Sequence, residues 1–171
     1  MLKFIGAILL ISGAAVWGFI GAKNLRDRGD AHAALVSALE IMEHELCDML
    51  TPMPELFAVL RKQSSYPAGK LFENAADRMR DIGAAPFSEL WQRAVVETGE
   101  LMLNDRELLT LSELGFSLGK YDVHEQRKAI ESAVRQFEVY ARNAAEERDR
   151  NWKSQAFLGV AAGIFAVIIL L

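Results

Sequence analysis

The sequence predicts an all-α protein: a cytoplasmic helical bundle of about five to six helices, flanked by N- and C-terminal transmembrane helices. Three observations carry this. Uncharged apolar segments run from Phe4 to Ala22 and from Ala156 to Leu171, nineteen and sixteen residues long. Between them apolar residues recur at spacings of three and four, the period of a helix with one buried face. Strand alternation and paired hairpin turns are absent.

The first apolar segment spans about 28 Å as a helix and the second about 24 Å, against a hydrocarbon core of about 30 Å. The shorter one needs local thinning of the bilayer or extra residues from Trp152 onward. Lys23, Arg26 and Arg28 follow the first segment; Arg142, Arg148, Arg150 and Lys153 precede the second, and nothing basic follows it. Short flanks rich in Lys and Arg stay cytoplasmic, which places the middle inside and both termini outside. A cleaved signal peptide would need an apolar stretch of only about 7–15 residues before a small-x-small site. The division is therefore 1–26 as the first span with its basic flank, 27–153 as the cytoplasmic domain and 154–171 as the second span. Ala14, Gly18 and Ala22, and the Gly159-x-x-x-Gly163 step, form small-residue ridges on which membrane helices can pack closely.

The first soluble helix is expected from Asp30 to Leu50. It places Leu35, Leu39, Met42, Leu46 and Met49 on one stripe. Thr51-Pro52 ends it and starts a second, with Thr51 as N-cap and Pro52 in the first turn. Leu56, Phe57 and Leu60 give that helix its buried face, and Ser64-Ser65-Tyr66-Pro67 breaks it. A third runs from about Pro67 to Ile82, closed by Gly83. Pro86 opens the fourth, which turns Phe87, Leu90, Trp91 and Val95 inward. Asn104-Asp105 caps a fifth that carries Leu108, Leu109, Leu111 and Leu114 and ends at Gly119. Asp122 caps a long sixth helix with a 4-3-4-3 seam of Ile130, Val134, Phe137, Ala141 and Ala144. No Pro or Gly interrupts it as far as Leu158, so it should enter the membrane as a rigid stalk.

Composition excludes several functions. The middle holds all 23 acidic and 18 of the 19 basic residues, a net charge of about −5, so it offers no basic face for nucleic acid. One cysteine, Cys47, rules out an internal disulfide. Gly115-Phe-Ser-Leu-Gly119-Lys120-Tyr121 has three residues between its glycines where a P-loop has four, and Tyr where Ser or Thr must hold Mg²⁺. Its glycines read as helix-end positions. Glu40, Glu43, His44 and Cys47 cluster within two turns, yet only His32 and His124 remain to complete a metal site, so Cys47 reads as a packed core thiol. No serine stands in an elbow motif. The sequence implies a non-enzyme with no catalytic residue, cofactor or metal.

A resemblance extends this reading. The opening Leu2-Lys3-x-Ile5-Gly6-Ala7, then Thr51-Pro52-Met53-Pro54-Glu55, Trp91 in mid-domain, and Leu114-Gly115-x-x-Leu118-Gly119-x-x-Asp122-x-x-x-Gln126 together resemble the stage III sporulation protein AB family. Tyr121 departs from the pattern, where a small Ser-like residue is expected. The resemblance covers nearly the whole chain. It implies a membrane platform or adaptor of the mother cell–forespore channel, similar to the platform protein of type II secretion and type IV pilus machines. The implied partners are the membrane, the channel's secretion-type ATPase (stage III sporulation protein AA) and other channel membrane proteins, with no nucleic acid and with homo-oligomers left open. The implied location is the mother-cell membrane around the forespore. Without the resemblance, the residues describe a generic membrane-tethered helical scaffold. The exposed Glu55, Arg61 and Lys62, near the Thr-Pro-x-Pro turn, are the expected partner contacts.

Overall fold

The computed structural model describes the backbone of residues 2–81, 83–118 and 122–170, and side chains over 23–80, 83–118, 122–147 and 149–150. Its described residues are all-α. In order they form α1 (Leu2–Glu43), a π-helical turn (His44–Asp48), α2 (Met53–Gln63), α3 (Ala68–Arg78), α4 (Phe87–Glu97), α5 (Asp105–Leu118) and α6 (Val123–Leu170). Short 3₁₀ turns follow α3 at Met79–Asp81 and α4 at Gly99–Leu101. The chain divides into two compact units, Asp30–Ala141 and the paired ends Met1–Gly29 with Arg142–Leu171.

The unit Asp30–Ala141 contains the core. From α1 come Leu35, Leu39 and Met42, from α2 Leu56, Phe57 and Leu60, and from α3 Leu71 and Phe72, all fully buried. Trp91 and Val95 of α4, Leu111 of α5, and Ile130 and Phe137 of α6 complete it. At its centre the rings of Phe57, Phe72, Phe87 and Trp91 meet with centroids 6.1–6.4 Å apart. Pairs of this kind add about 0.5–1.5 kcal/mol each beyond the area they bury. The Trp91 indole N–H, which must find an acceptor inside the core, donates to the Leu111 carbonyl at 2.7 Å.

Three expectations need correction. The stripe on α1 holds through Leu46, but Met49 is 62% exposed. The π turn adds a residue to the helical repeat, closed by Met49 N–H to His44 C=O at 3.1 Å, so the next side chains rotate out of phase. Helix α2 begins one residue late: Pro52 occupies the N-cap position, and the Thr51 hydroxyl donates instead to Glu45 Oε2 at 2.7 Å. Gly115 is no helix end. It sits inside α5, where a Cβ would lie 2.6 Å from Trp91 Cδ1.

The other unit is described by side chains only near its inner ends. There a Cβ built on Gly29 of α1 would lie 3.9 Å from Ala144 Cβ of α6, ordinary van der Waals contact. Among the described residues no helix is long and apolar enough to cross a membrane. The apolar segments 4–22 and 156–171 lie outside the described side chains, and with them Ala14, Gly18, Ala22, Gly159 and Gly163; Gly119 also lies outside the described residues.

Candidate interaction site

The turn from α1 to α2 is built by residues that sequence periodicity does not connect. Arg127 of α6 donates from one guanidinium nitrogen to Glu43 Oε1 at 2.9 Å and from another to Asp48 Oδ1 at 2.5 Å. His44 Nδ1 lies 3.2 Å from the second Asp48 oxygen. The Arg127 guanidinium, aided by His44, holds the Asp48 carboxyl below its ordinary value of 3.8. Cys47 packs beneath this network with its thiol 3.9 Å from the Val123 carbonyl oxygen, and burial pushes that thiol above 9.0. The π turn is thus pinned to the start of α6. The chain then leaves through Leu50 at φ +55°, a left-handed conformation that costs a non-glycine residue about 1–2 kcal/mol.

The start of α6 is organised by the family-like motif. Asp122 Oδ1 accepts from the backbone N–H of His124 at 2.8 Å and of Glu125 at 3.3 Å. The Gln126 amide donates to the Leu118 carbonyl at 3.1 Å, which ties the end of α5 to α6. Asn104 and Glu107 close a reciprocal capping box on α5: Asn104 Oδ1 accepts the Glu107 N–H at 3.0 Å, and Glu107 Oε2 accepts the Asn104 N–H at 2.9 Å.

The sequence-predicted contacts Glu55, Arg61 and Lys62 are all exposed on α2, but they do not share one end. Glu55 stands in the first turn beside the Thr-Pro-x-Pro segment; Arg61 and Lys62 stand in the last turn, about 9–10 Å farther along the axis. The basic pair therefore lies near the Ser64–Pro67 break and not near the turn.

The described residues bring no group of three or more His, Cys, Asp or Glu together as metal ligands. Glu43, His44 and Cys47 are each engaged in the π-turn network. A surface cleft of about 270 Å³ is lined by Asn74, Asp77, Arg78 and Glu97, with Arg78 paired to Glu97. One arrangement escaped sequence reasoning: fully buried His32 of α1 places Nε2 3.3 Å from Glu107 Oε2 of α5. Its ring lies about 6 Å from those of Phe137 and Tyr140. Nothing local in the sequence links two polar residues so far apart. This pair joins α1 to α5 inside the core.

Comparison with known proteins supplies what the geometry lacks. The family model described as stage III sporulation protein AB matches residues 3–171. Stage III sporulation protein AB of Bacillus subtilis (strain 168) is 27% identical over 172 residues, covering 100% of both chains. The solved structure of stage III sporulation protein AB (SpoIIIAB) superposes with a TM-score of 0.65 at 25% identity, covering 72% of this chain and 98% of that one.

Proposed function

Since the chain belongs to the stage III sporulation protein AB family, we propose that it is a platform of the mother cell–forespore channel, coupling a cytoplasmic secretion-type ATPase to the channel's membrane components. Family membership gives it a role in sporulation, and that role is structural, not enzymatic. The observation that carries the platform reading is the extent of the match: it runs through both terminal apolar segments as well as the helical unit. α1 and α6, which pack that unit's core, are also the helices whose sequence continues into the two apolar segments. The segments act as membrane anchors, the basic flanks keep the bundle cytoplasmic, and the small-residue ridges give the anchors packing surfaces. α2 is the helix that meets the ATPase, through Glu55 and the Arg61–Lys62 pair.

The test is binding of the full chain, reconstituted in lipid nanodiscs, to the purified channel ATPase. Reversing Arg61 and Lys62 to Glu should weaken binding without changing helicity or melting temperature. Unaltered binding moves the interface off the end of α2; no binding by the native chain removes the coupling role. Orientation is tested in cells: a cysteine at Gln63, in a Cys47→Ala background, should resist an impermeant maleimide until lysis, and labelling of intact cells reverses the topology.

A further inference from the structure

Met49 and Leu50 are the feature that neither the core nor the anchors explain. They follow the π turn with 62% and 65% of their surfaces in water. Pro52 and Pro54 are exposed beside them and Met53 is partly so, which makes one continuous apolar tip from 49 to 54, broken only by Thr51. The tip is held, not slack. Arg127 clamps the π turn through Glu43 and Asp48, Thr51 is bonded to Glu45 by its hydroxyl and by its backbone N–H at 2.9 Å, and Leu50 is fixed in the left-handed region. A large apolar side chain held rigidly in water has part of its ordering cost already met before it docks.

The charges around the tip specify what it meets. From Glu40 to Leu60 the chain carries five carboxylates, Glu40, Glu43, Glu45, Asp48 and Glu55, and no Lys or Arg. Arg127 of α6 answers Glu43 and Asp48. The carboxylates that remain are the exposed Glu40 and Glu55, with half-buried Glu45 held by Thr51. An anionic lipid surface repels these carboxylates, and a second copy would bring a like charge against them.

We propose that the Met49–Leu50 tip is a docking knob for a protein partner that presents an apolar socket rimmed by lysine and arginine. The apolar pair supplies the buried centre, and the carboxylates steer the approach and fix the register. This goes beyond the platform reading, because it does not require the partner to be the ATPase.

The experiment is site-specific photocrosslinking in sporulating cells, with the full chain carrying benzoylphenylalanine in place of Leu50 or, in a second strain, of Phe116, which is exposed on the outer face of α5. Crosslinked peptides are mapped by mass spectrometry. Position 50 should join another protein within an apolar segment flanked by Lys or Arg, and position 116 should not join that segment. Glu55→Lys should lower the yield roughly tenfold, whereas Glu113→Lys on α5 leaves it unchanged, because a rim charge acts mainly on the association rate. Melting temperatures of the variants should match that of the native chain. No crosslink at position 50, or a crosslink to lipid, to a second copy or to an acidic segment, overturns the proposal. A basic-rimmed partner other than the ATPase upholds it, and leaves the coupling role to the ATPase-binding test.

Discussion

Leu50 exposes an apolar side chain and occupies a backbone region that glycine or asparagine would enter at lower cost. Replacing Leu50 by Asn should therefore stabilise the fold by about 1 kcal/mol in urea titrations. A loss of stability would show that the Leu50 side chain packs in solution and is not held out for a partner. The clamp beneath it gives a second test, by pH. Asp48 is depressed below 3.8 by its bond to Arg127, so the stability it contributes is present above that value and fades as pH falls through the folded value. Arg127→Gln should accordingly move acid unfolding to higher pH. Cys47 behaves in the opposite sense: burial raises its thiol above 9.0, so its contribution is intact below 9.0 and declines only at more alkaline pH. An unshifted acid limb in Arg127→Gln would mean that the π turn holds without its clamp.

Among the elements, close approach matters more than intrinsic propensity. Gly115 lies inside α5, where alanine favours an isolated helix by about 1 kcal/mol. Yet a Cβ there would meet the fully buried Trp91 at 2.6–3.1 Å, and that indole is fixed by its bond to Leu111 and by the rings of Phe57, Phe72 and Phe87. Overpacking of this kind costs about 1–3 kcal/mol, so Gly115→Ala should be a net loss of about 1–2 kcal/mol by thermal or urea unfolding. A rise in melting temperature would show that α4 and α5 can part without cost. The same contact marks where sequence reading ends. Leu35, Leu39, Met42, Phe57, Trp91, Ile130 and Phe137 were legible as core because each obeys its own helix's period. Gly115 was not, since a glycine chosen for another helix's tryptophan looks locally like a helix end. Met49 was misread because a π turn breaks the period without any Pro or Gly to announce it. His32 and Glu107 were invisible as a pair, since only the packing of α1 on α5 brings them together.

At the scale of the whole molecule, every described residue of the main core cluster lies between Ala34 and Phe137, inside the unit Asp30–Ala141. A polypeptide of residues 30–141 cuts α1 and α6 in mid-helix but removes no member of that cluster. It should therefore fold alone and unfold in one cooperative step, with coincident transitions by circular dichroism and by Trp91 fluorescence, the two other tryptophans lying outside the piece. It should stay in solution without detergent, whereas the full chain, carrying segments 4–22 and 156–171, should sediment with membranes and resist extraction by high salt. The two halves of this prediction fail separately. A molten or aggregated 30–141 would mean that the paired ends stabilise the bundle, and that the anchors are part of the fold. A full chain left in the supernatant after membranes are pelleted would remove the membrane from the account. The family's place in sporulation would then stand, but as a soluble adaptor whose docking tip works without a platform.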